Sequence, residues 1–141
     1  MRCELHGTTG IANYERIIAE YARTHPDEAW IRGGGWSMDD FPGGNPPRST
    51  LDRLVPDRPV SLSSRDGHSA WVNSRALEIA GITADTADPA DGRIIRDPDG
   101  SPSGALHEGA ADMVARFEPD DTPADLEAAL RSPALAAYRR L

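Results

Sequence analysis

The sequence contains no lysine. All 15 of its basic residues are arginines, so a Schiff-base lysine and a P-loop lysine are both excluded. The exclusive use of arginine reads as the coding bias of a GC-rich genome rather than as chemistry. Cysteine is nearly absent too. Cys3 stands alone, which rules out an internal disulfide and a cysteine-based zinc site. No stretch approaches the ~18 consecutive apolar residues that span a bilayer. The opening MRCELHGTTG lacks the apolar h-region of a signal peptide, and the cytoplasm is the expected compartment. Hydrophobic residues make up 38% of the chain, below the usual ~45–50%. With 13 glycines, 12 prolines and 141 residues, a single loop-rich domain is expected. The net charge of −8 argues against nucleic acid or an anionic membrane surface as partner.

The pattern along the chain predicts an α/β order. Asn13 reads as an N-cap, and Tyr14, Ile17, Ile18, Tyr21 and Ala22 follow at helical spacing until His25-Pro26 stops the run. Trp30 to Arg32 is a short strand leading into Gly33-Gly34-Gly35-Trp36. Residues 37–50, rich in proline and glycine, form an irregular loop. Leu51 to Val55 makes about one helical turn, and Pro59 to Ser63 is a buried strand. A helix spans Asn73 to Ala80, with Gly81 as its C′ residue. Residues 92–106 form a hairpin around the DPDG turn. Leu106, Ala110, Met113, Val114 and Phe117 then share one face of a helix that Pro119 ends. A last helix opens at Thr122-Pro123 and runs toward Leu141. No strand pairs obviously with a neighbour in this reading.

Few motifs carry chemistry by themselves. The GGG run lacks the G-x-G-x-x-G spacing of a phosphate cradle, and glycines that let backbone pass close to backbone or ligand explain it better. The histidines, at 6, 25, 68 and 107, form no H-x-H or H-E-x-x-H pair, and no G-x-S-x-G elbow marks a nucleophilic serine. The stretch RDGHSAWVNSRALEIAG concentrates more. His68, Trp71 and Asn73 stand at a strand-to-helix loop, the edge where α/β folds bind ligands. A structural reading competes with the binding one: Asn73 caps the helix, Trp71 packs and His68 bonds a backbone carbonyl. Both can hold at once. Glu108, following the hairpin, is a first-turn acid favoured by the helix dipole or a site residue of the same kind.

Taken together, WIRGGGWSMDDFPGG, LDRLVPDRPVSLSSRDGHSAWVNSRALEIAGIT and DPADGRIIRDPDGSPSGALHEGA resemble amidohydrolase family 3. This is the branch of the metal-dependent amidohydrolase superfamily that includes N-substituted formamide deformylase-like proteins. The resemblance runs from about Cys3 to Leu130 through several blocks in order. It implies a (β/α)8 barrel, hydrolysis of non-peptide C–N bonds in small amide-like substrates, and one or two divalent metals, often zinc. It also implies an H-x-H pair on the first barrel strand, which is absent here, and no residue of this chain matches a standard metal ligand. On this resemblance the chain is one incomplete domain, residues 1–141. It is the segment after the first barrel strand with a hairpin-containing insertion, and it is inactive alone. His68, Trp71, Asn73 and Glu108 become pocket residues or supports behind the pocket, with no catalytic residue and no metal ligand assigned. The competing expectation is a non-catalytic binding module that needs a partner chain.

Overall fold

The computed structural model describes residues 2–119, and the helix expected from Thr122 onward lies outside them. In chain order the elements are β1 (Cys3–Glu4), α1 (Ile11–Thr24), β2 (Ile31–Trp36), α2 (Arg48–Leu54), β3 (Val60–Ser64), β4 (Ser69–Val72), α3 (Ser74–Ala80), β5 (Gly92–Arg96), β6 (Pro102–Glu108) and α4 (Gly109–Ala115). The strands form one six-stranded sheet in the order β1-β2-β3-β4-β6-β5. The first three are parallel and the rest antiparallel. The strands therefore do pair, against the expectation from sequence.

β4 is not legible in the sequence. Its four residues, Ser-Ala-Trp-Val, are all buried, so they show no polar alternation to mark a strand. His68 consequently lies in the tight turn between β3 and β4, rather than in a strand-to-helix loop. Leu106 is likewise a strand residue. The helix face expected around it shrinks to the buried Ala110 and Val114, with Phe117 largely exposed. The hairpin around DPDG is present as expected, its register running from Gly92 opposite Glu108 to Arg96 opposite Pro102.

Helices cover both faces of the sheet. Tyr14 and Ile18 of α1 and Leu51 of α2 pack with Trp36, Leu62 and Trp71 on one face. Ala76 and Leu77 of α3 and Ala110 and Val114 of α4 pack with Val72, Ile94 and Leu106 on the other. Trp71 belongs to an aromatic cluster, 5.1 Å from Phe41 and 6.3 Å from Trp36 between ring centroids. These edge-on contacts are a favoured geometry for buried rings.

α1 begins at Ile11, two residues before the expected Asn13 cap. Asn13 instead turns its Nδ2 back to donate to the Thr9 carbonyl at 2.8 Å. Arg58 closes the other end of α1, donating to the carbonyls of Ala22 and His25 at 2.9 and 2.7 Å. This replaces the partners that helix-terminal carbonyls lack. The GGG run is accounted for by crowding. A Cβ on Gly33 would stand 1.9 Å from the Cys3 carbonyl oxygen, and one on Gly34 2.5 Å from that of Ser63. β2 fits between its two neighbours only without side chains there.

Asn73 caps α3 as expected, its Oδ1 accepting from the Ala76 amide at 3.1 Å. The same oxygen accepts from the Val60 amide at 2.9 Å, while Nδ2 donates to the carbonyls of Arg58 and Val55 at 2.7 and 3.3 Å. The side chain is fully buried. Asn73→Ala should lower stability by about 2–4 kcal/mol, because it removes a cap and strands buried donors and acceptors at once. Urea denaturation of the two proteins measures this; a loss within about 0.5 kcal/mol, the range of neutral surface changes, would show that water replaces the amide.

Candidate functional site

Parallel strands direct their carboxyl ends to one edge of the sheet, and β6 runs in the same direction as β3. That edge therefore gathers the residues that follow β1, β2, β3 and β6. They include His6 after β1, Ser37 to Asp39 after β2, Arg65 to His68 after β3, and His107-Glu108 at the end of β6. Ligands bind α/β sheets at this edge because the loops there vary while the strands hold them in place.

A cleft of about 320 Å³ opens there, between Trp36–Asp39 on one side and Ser64–Asp66 on the other. Arg65 ties its floor together. The side chain donates to the carbonyls of Gly35 and Thr8, and the backbone amide to that of Trp36 at 2.7 Å. Asp66 accepts from the Ser64 hydroxyl at 2.6 Å and from the His68 amide at 3.0 Å. These two hydrogen bonds, the hydroxyl's first, hold its carboxyl below the usual carboxylate range. Asp66 therefore presents a negative charge to the cleft throughout the neutral range. Nothing in the sequence singled out this cleft. The available signal was the polar run Ser-Ser-Arg-Asp-Gly directly after an apolar strand.

The residues singled out from sequence divide into two pairs. His68 and Glu108 are brought together and exposed, with Nδ1 of His68 3.3 Å from Oε2 of Glu108. The Glu108 amide also donates to the His68 carbonyl at 2.7 Å. His68 follows the cleft residue Asp66 by two positions, and the cleft lining itself ends at Asp66. Trp71 and Asn73 are both fully buried. Trp71 donates from Nε1 to the Pro47 carbonyl at 2.8 Å, and every polar atom of the Asn73 side chain is engaged within the fold. Of the roles expected from sequence, the structure realises the cap at Asn73, while the His68 side chain meets the Glu108 carboxylate rather than a backbone carbonyl.

Glu108 precedes α4 rather than lying in its first turn, and its side chain makes no cap hydrogen bond. It is the one non-glycine residue with positive φ among the described residues, at φ 52° and ψ −126°. Such backbone costs about 1–3 kcal/mol and persists where the surroundings impose it, often at functional sites. No sequence signal marks it, because glutamate carries no preference for that conformation.

A catalytic zinc ordinarily takes three protein ligands. Among the described residues no three His, Cys, Asp or Glu side chains converge to hold a metal. His68 and Glu108 are two donors without a third, so the residues present do not fit a metal centre. Cys3 offers none: burial, then the nearby Glu4 and Glu28 charges, push its thiol up to about 12. Among the described residues, no helix is long and apolar enough to cross a membrane.

Comparison with known proteins gives a consistent picture. A family model described as "Amidohydrolase family" matches residues 1–140. Protein LONG AFTER FAR-RED 3 of Arabidopsis thaliana is 37% identical over 78% of this chain and 19% of its own length. Putative amidohydrolase YtcJ of Bacillus subtilis (strain 168) is 36% identical over 84% of this chain and 23% of its own. N-substituted formamide deformylase of Arthrobacter pascens is 35% identical over 70% and 18%. The fold resembles the crystal structure of an uncharacterized metal-dependent hydrolase from Pyrococcus furiosus, with a TM-score of 0.58 at 23% identity over 82% of this chain and 21% of that one. The chain thus spans about a fifth of the length of these relatives. Since the family's pattern runs through strands, helices and cleft loops alike, from residue 1 to residue 140, the chain belongs to the amidohydrolase family.

Proposed function

We propose that the chain is part of a metal-dependent hydrolase that cuts C–N bonds in small, amide-like, non-peptide substrates, and that it builds one wall of the substrate pocket. The observation that carries this reading is the His68–Glu108 pair. It stands at the same carboxyl edge of the sheet as the cleft, with His68 in the turn that carries Asp66 and the backbone strained at Glu108. The β1-α1-β2-α2-β3 run supports a place in a (β/α)8 barrel. Successive strands are parallel neighbours, and both helices lie on one face, the unit that a barrel repeats. The β5–β6 hairpin is then an insertion into that barrel.

In this reading His68 donates to or accepts from a polar group of the substrate, and Glu108 accepts from an N–H. Trp71 and Asn73 stand behind the wall and fix its position. A divalent metal, zinc foremost, belongs to the whole enzyme and would supply an activated water and a polarised carbonyl. Its ligands lie outside this chain, so the chain alone does not catalyse. The substrate is a small molecule. A net charge of −8 suits neither nucleic acid nor an anionic membrane as partner. A lone free thiol suits the cytoplasm.

A second reading is a non-catalytic module that needs a partner chain. Intact mass separates the two. Protein isolated from source cells through an antibody to residues 65–81 should be several times heavier than 15.2 kDa, contain divalent metal and hydrolyse N-substituted amides. A mass of 15.2 kDa without hydrolysis would favour the module. The purified chain should bind no stoichiometric metal and turn over no amide; stoichiometric zinc with metal-dependent turnover would refute its inactivity.

Glu108→Gly tests the strained position in two directions. Relief of the positive φ should raise the stability of the chain by about 1–3 kcal/mol in urea titration. In the heavier enzyme the same change should lower kcat/KM by about tenfold to a hundredfold, the value of a hydrogen bond to a charged group. Full activity in that variant would remove Glu108 from the site.

A further inference from the structure

Segment 37–47 forms one wall of the cleft through Ser37, Met38 and Asp39. Its regular structure is limited to two short 3-10 turns, Met38–Asp40 and Pro42–Gly44. Side chains from elsewhere hold it at three places. The Tyr14 hydroxyl accepts from the Ser37 amide and donates to Asp40. Trp71 donates to the Pro47 carbonyl. His107 reaches Asn45. Indole does not titrate, and burial raises the Tyr14 hydroxyl further above its already alkaline range. The third hold is an imidazole, whose ordinary range lies near neutrality.

His107 stands on β6 opposite Ser69 of β4 and Arg93 of β5. Both ring nitrogens are engaged. Nε2 lies 2.8 Å from Asn45 Oδ1, and Nδ1 lies 2.6 Å from Ser69 Oγ. The Asn45 amide is oriented by its own Nδ2, which donates to the Gly43 carbonyl. Its Oδ1 can only accept, so Nε2 carries the ring proton. Nδ1 then holds a lone pair and accepts from the Ser69 hydroxyl. Ser69 is buried, so that hydroxyl proton has no ready alternative in solvent. A second ring proton would set Nδ1–H against the hydroxyl and place a cation across from Arg93; Nε2–H still donates to Asn45 in the imidazolium, so that bond is lost only as the ring is displaced from Ser69 and Arg93.

We propose that neutral His107 is a positioning residue that clamps segment 37–47 through Asn45, so that the cleft wall loosens when the ring takes a second proton. The charged groups that face the ring are Arg93 from β5, Glu108 beside it on β6, and Asp66 from the β3–β4 turn. Burial first, then Arg93, holds its pKa below the ordinary value of about 6.5, against the opposing pull of Glu108 and Asp66. The folded state therefore resists a proton that the unfolded chain accepts. The clamp is intact above the ordinary imidazole value and is lost as pH falls through the lowered one. Only the effect on turnover rests on the cleft being the substrate site; the clamp itself does not.

Amide exchange followed by NMR on this chain tests the clamp without any substrate. The Phe41 and Gly44 amides, which donate within the segment, report its opening. After correction for intrinsic pH dependence, their exchange should rise several-fold with a midpoint matching the titration of the His107 ring. β3 amides should stay protected throughout. In His107→Gln the pH step should vanish, and in Asn45→Ala exchange should be fast at every pH. A midpoint that follows His6, His25 or His68, a step that survives in His107→Gln, or β3 opening together with the segment would overturn the clamp. Unchanged exchange in Asn45→Ala would overturn it as well, even if His107→Gln failed to fold. Inactivity toward amides would leave these outcomes unaffected, so the clamp and the hydrolase reading fail separately.

Discussion

The side-chain amide of Asn73 is the junction on which the fold depends. A single buried group joins the end of α2 at Val55, the approach to β3 at Arg58 and Val60, and the first turn of α3 at Ala76. The β3–β4 pairing brings the chain back to that point, so the turn carrying Asp66 and His68 is fixed at both ends. A buried amide with all its partners supplied specifies one arrangement, because any shift would strand several polar groups at once. The site edge inherits its geometry from this distant junction.

Arginine contributes a second layer of order. Arg58 donates to carbonyls at the end of α1, Arg65 joins its own turn to the end of β2 and the loop after β1, and Arg96 gathers the carbonyls of Thr83, Ala84, Thr86 and Gly100. Arg48 reaches from α2 to the Pro102 carbonyl and the Ser74 hydroxyl. A planar fork with five donors can hold several carbonyls in fixed directions, which an ammonium cannot do. The absence of lysine, whatever its genomic origin, is thus used structurally in a chain rich in irregular loops.

The legible parts of the sequence were those governed by local chemistry. The Asn73 cap, the Gly81 terminus in the left-handed region, the stop before Pro26 and the DPDG hairpin all act within a few residues. What escaped depends on contacts far apart in sequence. β4 is too short and too buried to alternate. The cleft arises only when the ends of β2 and β3 lie side by side. The contact between His68 and Glu108 spans 40 residues, and the strained backbone at Glu108 has no residue preference to announce it. The chain from Ser69 through His107 to Asn45 crosses three segments, and each of its residues looks ordinary alone.

The burial of Cys3 gives the sheet an internal clock. Among the described residues, β1 is a two-residue strand held by its pairing with β2, and Cys3 is the chain's single thiol. While the strand is docked, the sulfur is shielded and held protonated, so an alkylating reagent has neither access nor a thiolate to attack. Each opening of that strand exposes one reactive group and no other. The rate of single-site labelling under native conditions therefore reads how often the first strand leaves the sheet.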